Sequence, residues 1–348
     1  KEFIDKYGFP VLVRPSHVLS GTAMKIARSE KELIDFVNSI PYFSKRYPVV
    51  ISKFIDDAIE AEIDGVGDGT NAIGVAISHI EEAGVHSGDS TMLTPTKEAY
   101  AEKMKGVALR LVRELEIKGP FNLQFIAKNG DVYVIELNLR ASRSLPFSSK
   151  SIGLNMLEMA LQGALGTFRH KGFYEPKHMY FAAKSPQFSW LQMRTAYPSL
   201  GPEMKSTGES GAFGSTKEEA LLKSWLGVQP NKIPEEGKDV LIYGKNRALL
   251  ESAAAKLSDK FDVMTVEGDY EIEAKRMRID SLLDNLGKFS LIITDGSLEN
   301  FDYRIRRNAA DSNIPMVLNG RLGNELAGAI SKYTMEELSN PKILHELA

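Results

Sequence analysis

The stretch from Leu123 to Asn138 constrains this chain more than any other. Two strand-like runs, Leu123–Ala127 and Val132–Asn138, flank Lys128-Asn129-Gly130-Asp131, and Asn-Gly between alternating runs is a strong hairpin signal. Apolar residues fall on odd numbers. Leu123, Phe125, Ala127, Tyr133, Ile135 and Leu137 are therefore expected to face a core, with Gln124, Glu136, Asn138 and Arg140 on the other side. Parity then limits the turn. A two-residue Asn-Gly turn would set Gln124 and Glu136 on opposite faces, whereas a three-residue loop with a glycine bulge keeps them together, so the three-residue loop is expected.

On one face, Gln124, Glu136 and Asn138 offer one carboxylate and two amides. Mg²⁺ takes hard oxygen ligands and commonly one or two carboxylates with phosphate oxygens, so the patch suits a metal–nucleotide platform. The same spacing fits a half-exposed polar hairpin face. Arg140 and Arg143 follow directly, and a guanidinium beside a metal can hold a phosphoryl group or a planar carboxylate through paired hydrogen bonds; two surface salt-bridge residues would look alike. Arg14 ends a β run before the polar loop Pro15–Thr22, which carries one glycine, Gly21, and matches neither the P-loop nor the dinucleotide fingerprint. Arg14 is a candidate phosphate ligand, or part of a plain strand-to-helix connection. Ala83-Gly84-Val85-His86-Ser87-Gly88-Asp89-Ser90 is typical of a loop whose backbone approaches a ligand, though a turn between sheet elements reads similarly. In Lys53–Glu60, Ile55 suits a backbone contact to adenine and Glu60 a ribose hydroxyl; a solvated acidic turn is the alternative.

The rest of the chain frames these segments. Val11–Arg14, Val49–Ile51, Ala61–Val66 and Ala72–Ile77 read as strands, and Ser29-Glu30-Lys31-Glu32 opens a helix. Met104, Val107, Ala108, Leu111 and Leu115 recur at helical spacing until Gly119-Pro120. Leu154–Leu165 reads as helix, Tyr180–Trp190 as strand, and Thr216-Lys217-Glu218-Glu219 as a capping box opening a helix to about Leu226. Asn231–Asp239, polar with Pro234 and Gly237, is the best linker. Beyond it Val240–Ile242, Val263–Val266, Ser290–Thr294 and Pro315–Leu318 alternate with helical runs, the pattern of a small doubly wound α/β domain. The fold class expected is α/β, with an α+β domain over residues 1–230 (190–230 a connecting segment) and a second domain over 239–348.

With 348 residues the chain can bury two cores, and its net charge of −3, with acids and bases interspersed, leaves no basic footprint for nucleic acid. It has no cysteine, which excludes disulfides, thiolate catalysis and Cys-based zinc sites and suits a reducing cytosol. No apolar run approaches the roughly 18 residues that span a bilayer, and no signal-peptide pattern is present, so neither membrane nor secretion is expected. Lys1 stands so close before the first strand that a preceding segment is expected.

Taken in order, Val13-Arg14-Pro15-Ser16, Ala83–Ser90, Asn122-Leu123-Gln124-Phe125, Glu136-Leu137-Asn138-Leu139-Arg140-Ala141-Ser142-Arg143 and Gly201-Pro202-Glu203-Met204-Lys205-Ser206-Thr207-Gly208-Glu209 resemble motifs of the C-terminal synthetase half of carbamoyl phosphate synthetase large chains. The resemblance covers nearly the whole chain and implies an ATP-grasp domain that phosphorylates carbamate with ATP and Mg²⁺ or Mn²⁺. It implies that Arg14, Lys53, Ile55, Glu60, Gly84, Val85, His86 and Ser87 contact the nucleotide. Gln124, Glu136 and Asn138 would hold the metal, the first two also facing the nucleotide, and Arg140 and Arg143 would steer carbamate and the moving phosphoryl group. It further implies a methylglyoxal-synthase-like regulatory domain after the linker, with Lys245, Thr294 and Asn319 as candidate effector contacts beside Asp295, Gly296 and Ser297. Val266-Glu267-Gly268-Asp269 stands where that family carries threonines, and acids there repel a phosphate. Leu139 stands where bacterial relatives commonly have proline. The remaining N-terminal part of the large chain, a glutaminase small subunit and a homo-oligomer are the partners implied, in the cytoplasm and in pyrimidine and arginine biosynthesis. The other readings are a different ATP-grasp carboxylate–amine ligase and a non-catalytic regulatory or assembly fragment.

Overall fold

A computed structural model describes residues 1–15, 24–40, 48–96, 99–177, 180–267, 272–296 and 300–339. The loop expected after Pro15, with Gly21, and Gly268, Asp269 and Ser297 lie outside the described residues. First come α1 (Glu2–Tyr7), β1 (Val11–Pro15), β2 (Lys25–Ala27), α2 (Glu30–Ser39) and β3 (Val49–Lys53), with the strands in an antiparallel sheet of order β2-β1-β3. Ser29 starts α2 as read from sequence: its hydroxyl accepts from Glu32 N at 3.2 Å while the Glu32 carboxylate accepts from Arg28 N at 2.9 Å. Leu33 of α2 then covers Val11, Val13 and Ala27.

Next in the chain are β4 (Ile59–Asp68), β5 (Ala72–Glu82), β6 (Met92–Thr94), α3 (Ala101–Glu114), β7 (Lys118–Lys128), β8 (Asp131–Asn138), α4 (Leu145–Ser151), α5 (Met156–Leu165), β9 (Phe173–Tyr174), β10 (Phe181–Gln187), β11 (Gly208–Gly214) and α6 (Lys217–Leu226). Their strands form an eight-stranded sheet of order β11-β10-β6-β5-β4-β7-β8, with β9 beside β5. Met104, Ala108 and Val112 of α3 close one face over Ala61, Ile63, Leu123 and Phe125. On the other face Leu145 of α4 and Met156 and Met159 of α5 cover Val66, Ile73, Val75 and Ile77. That second apolar cover stops short of Glu60, Glu62 and Asp64.

The hairpin forms, but by a different device from the one expected. Asn129 and Gly130 have φ of 53° and 83°, and Lys128 pairs directly with Asp131, so the turn has two residues and the primed geometry that fits strand twist. A register shift restores the parity: Phe125 pairs with Val134 and Gln124 with Glu136, leaving Ile135 as the extra residue of a β-bulge. The core assignment of two residues is corrected with it. Tyr133 pairs with Ile126 and is 48% exposed, Ile135 is 36% exposed, and Val132 packs on the core instead.

The last part comprises β12 (Asp239–Tyr243), α7 (Arg247–Leu257), β13 (Asp262–Val266), β14 (Lys275–Met277), α8 (Ile279–Asp284), β15 (Phe289–Thr294), α9 (Asn300–Asp311), β16 (Met316–Val317), α10 (Gly320–Lys332) and α11 (Met335–Ser339). The five strands are all parallel, in the order β14-β13-β12-β15-β16. Leu250 and Leu257 of α7 and Leu322 and Leu326 of α10 cover Val240, Ile242 and Ile293, while Leu282 of α8 and Ile305 of α9 cover Leu241, Tyr243 and Ile292 on the opposite face. Helices on both faces of a parallel sheet are the doubly wound arrangement the alternating pattern predicts. Leu221, Leu222 and Trp225 of α6 share a core cluster with Leu93 and Ala183 of the eight-stranded sheet and with this sheet. No helix of the described residues is long and apolar enough to cross a membrane.

Candidate active site

Where the apolar cover of the eight-stranded sheet ends, polar side chains line up across three strands. Glu62 of β4 pairs with Gln124 of β7, and Gln124 with Glu136 of β8; in the next row Asp64 pairs with Asn122, and Asn122 with Asn138. Directly opposed residues in an antiparallel sheet share a face. The Ile135 bulge thus puts Glu136 and Asn138 in line with Gln124. Asn138 Nδ2 donates to Glu136 Oε1 at 2.8 Å, and Asn138 Oδ1 accepts from Arg140 Nη2 at 3.4 Å. Gln124 Nε2 donates to Ser87 Oγ at 3.1 Å, so the amide oxygen is the atom Gln124 can still offer a cation.

The Gly84–Ser90 loop closes over this row. Gly84, at φ +107°, donates its N–H to the Glu60 carboxylate at 3.4 Å, and the position a Cβ would take there lies 3.7 Å from the Phe54 ring. Burial holds the Glu60 carboxyl above its ordinary pKa. His86 Nδ1 accepts from Gly88 N at 3.0 Å, and its burial favours the neutral ring. Val85 and Ile55 are half-buried. Arg143 lies against Met204 Sδ, and its charge, like that of Glu136, acts on His86. Arg14 stands opposite Val50 on β1, and its Nε is buried without a hydrogen bond among the described residues. Lys53 turns elsewhere: its ammonium donates to Phe9 O at 2.8 Å and Gly8 O at 3.4 Å.

Several buried groups of this site escaped the sequence reading. His79 Nε2 lies 3.5 Å from Glu62 Oε2, and although burial opposes its charge, the Glu62 and Glu60 carboxylates raise its pKa. Lys184 is fully buried, donates to Ser87 O at 3.4 Å, and has its pKa lowered by that burial. Glu81 accepts from Thr91 N at 2.7 Å and is pushed up to about 7 by burial; Asp64, bonded to Asn122 at 2.9 Å and Ser148 at 2.6 Å, is pushed up to about 6 by burial and by Glu62. Acids at every second position of Glu60-Ala61-Glu62-Ile63-Asp64, alternating with apolar residues, were the available signal.

The three candidate effector residues gather at the carboxyl ends of the parallel strands: Lys245 after β12, Thr294 ending β15, and Asn319 capping α10. Asp295 sits among them and accepts from Lys245 N at 2.7 Å and Asn246 N at 3.1 Å, the amides of the turn just before α7. Backbone donors of such a turn can meet an anion, and a carboxylate of the chain already takes these two. Asn319 Nδ2 also donates to Glu82 of the eight-stranded sheet.

A glycine-bearing loop over an acidic and amide-bearing antiparallel sheet, in a mixed α/β chain, defines the ATP-grasp class of fold. The biotin carboxylase domain dimer of the Hydrogenobacter thermophilus 2-oxoglutarate carboxylase, solved with MgADP, ADP and bicarbonate, superposes with a TM-score of 0.51 at 16% identity, over 64% of this chain and 58% of that one, a likeness of fold. More particularly, residues 1–170 match the family described as carbamoyl-phosphate synthase L chain, ATP binding domain. The carbamoyl phosphate synthase large chain of Saccharolobus islandicus is 51% identical over 96% of this chain, and that of Sulfurisphaera tokodaii 52% identical over 95%. The chain spans about a third (32%) of the length of each.

Proposed function

We propose that this chain is the carbamate-phosphorylating part of a carbamoyl phosphate synthetase large chain, with an ATP-grasp domain over residues 1–230 and a methylglyoxal-synthase-like regulatory domain over 239–348. The observation that carries the reading is the Glu62–Gln124–Glu136 row beneath the Gly84–Ser90 loop, brought into line by the Ile135 bulge. Glu136 and the amide oxygens of Gln124 and Asn138 form a hard-oxygen donor set that fits Mg²⁺ or Mn²⁺. Among the described residues no three His, Cys, Asp or Glu side chains cluster for a metal, and with a single carboxylate this donor set would leave room for phosphate oxygens of ATP. A divalent cation held there by Glu136, Gln124 and Asn138 would supply charge neutralisation for the phosphates of ATP.

The chain's own residues then position the reactants. The Gly84 to Ser87 backbone and His86 line the nucleotide, Glu60 accepts from the ribose, Ile55 meets the adenine, and Arg14, with a buried N–H left over, reaches the phosphates. Lys53 joins them by exchanging its bond to Phe9 O for the nucleotide. Arg140 and Arg143 hold carbamate so that its oxygen attacks the γ-phosphorus in line while ADP leaves, absorbing charge as it develops. No covalent bond to the protein forms. The rest of the large chain, a glutaminase subunit, self-association and a cytoplasmic place in pyrimidine and arginine synthesis accompany the reading. Asp295 argues that the regulatory end, with Lys245, Thr294 and Asn319, does not take a phosphate effector.

The test is ADP phosphorylation by carbamoyl phosphate, assayed with the intact large chain. Turnover that disappears in Glu136→Ala supports the proposal. An intact chain that makes no ATP from carbamoyl phosphate overturns it.

A further inference from the structure

The segment between β10 and β11, Phe188–Thr207, has no strand or α-helix, yet it forms one wall of the loop that covers the site. At one end it is fastened by two arginines of α9. Arg307, 6% exposed, donates from Nη2 to Trp190 O at 2.8 Å and from Nη1 to Met193 O at 2.9 Å and Ala196 O at 3.1 Å, while Asp311 pairs with it at 2.9 Å. Arg306, 3% exposed, donates to Pro198 O at 3.1 Å, with its Nε on Asp302 at 2.8 Å. Asp302 also receives Tyr243 OH at 2.8 Å and the Tyr197 hydroxyl, and the Arg306 guanidinium lies over the Tyr197 ring. Four main-chain carbonyls of an irregular segment thus have their partners on a helix of the parallel sheet. Of these, the bonds to Trp190 O and Pro198 O are buried, where a carbonyl left without a partner is destabilising, while Met193 O also accepts from Ala196 N at 3.0 Å.

At its other end the segment grips the Gly84–Ser90 loop. Gly201 O accepts from His86 N at 2.8 Å, Lys205 N and Ser206 N donate to Asp89 at 2.9 and 2.8 Å, and Ser206 Oγ donates to Gly88 O at 3.0 Å. A Cβ on Gly88 would stand 2.8 Å from Met204 Sδ and would make that side chain shift, and the same sulfur touches Arg143.

We infer that Arg306 and Arg307 are positioning residues of the candidate active site, acting through Trp190–Ser206 to set the shape of the His86–Asp89 loop. They touch no reacting group. Their effect on kinetics rests on the function proposed above; their effect on the loop does not.

The test uses the intact large chain and Arg307→Lys, which keeps the charge but cannot span Trp190 O, Met193 O and Ala196 O with one ammonium. Amide hydrogen exchange is read at His86, Lys205 and Ser206 relative to Ile63 and Leu123 in the central strands. Acceleration of the first group by about tenfold or more over the second is expected, with KM for the nucleotide raised about fivefold or more and kcat changed less. Equal acceleration of both groups, or none at either, overturns the inference. Arg306→Lys, which gives up the bond to Pro198 O while its ammonium can still pair with Asp302, is read by the same ratio as a milder second variant. A loosened loop in a chain that makes no ATP from carbamoyl phosphate would leave this inference standing and remove the proposed function.

Discussion

Glu136 and Glu81 are both carboxylates of the same sheet, and their surroundings separate their roles. Glu136 is exposed on the edge strand and bonded to Asn138, free to meet a cation; Glu81 is fully buried with a backbone N–H for a partner. Glu136→Gln should therefore lower the rate of ADP phosphorylation by about 100-fold or more, by removing the one full charge of the donor set, while shifting the melting temperature little. A rate within a few fold of the parent would refute the metal role. For Glu81 the sign follows from its raised pKa. Between pH 4.5 and about 7 the folded chain keeps a proton that the unfolded chain has lost, so stability falls as pH rises through that window. Glu81→Gln removes this slope, and its stability relative to the parent should improve from pH 5 to pH 8 by roughly 2 kcal/mol in urea titrations. An offset equal at both pH values would contradict it. Residue types alone pointed to Glu136, Gln124 and Asn138. They were silent on Glu62, His79 and Lys184, because a buried charge is legible only once its neighbours are known.

At the scale of elements, the hairpin shows where pattern reading stops. Asn129-Gly130 marked where the chain turns, but the positive φ of both residues makes a two-residue turn in place of the three-residue loop expected. The phase of β8 depends instead on the bulge at Ile135, an apolar residue with nothing in its type to mark it as extra. Deleting Ile135 should slide Glu136 and Asn138 to the core-facing side of the edge strand. The eight-stranded sheet would survive, since β8 is its edge, but divalent-dependent turnover would be lost. Circular dichroism with a metal titration reads both; metal affinity unchanged after the deletion would show that the bulge does not set the site. The capping signals at Ser29 and Thr216 were legible because both are local: each hydroxyl meets an amide three residues on, at 3.2 and 3.1 Å.

For the whole molecule, α6 is decisive. It lies before the polar linker at Asn231–Asp239, yet Leu221, Leu222 and Trp225 complete a core with α7 and α10 beyond it. A chain ending at Pro230 would bare that face, and it should melt well below the full chain and aggregate; Trp225→Ala in the full chain should cost about 3–5 kcal/mol. Calorimetry of the two reads this directly, and equal melting temperatures would mean the two sheets are energetically independent. By itself the sequence determined the local events: most strands and helices, their caps, the place of the hairpin turn though not its type, and the order of motifs that resembles one enzyme family. Each depends on residues a few positions apart, within reach of backbone geometry and hydrogen bonding. Only the tertiary structure decided by what device Glu136 comes to share a face with Gln124, which charges are buried beneath it, and how Arg306 and Arg307 hold a segment more than 100 residues away in sequence. Those depend on pairing register and on packing between distant segments, where one extra residue in a strand reverses the outcome.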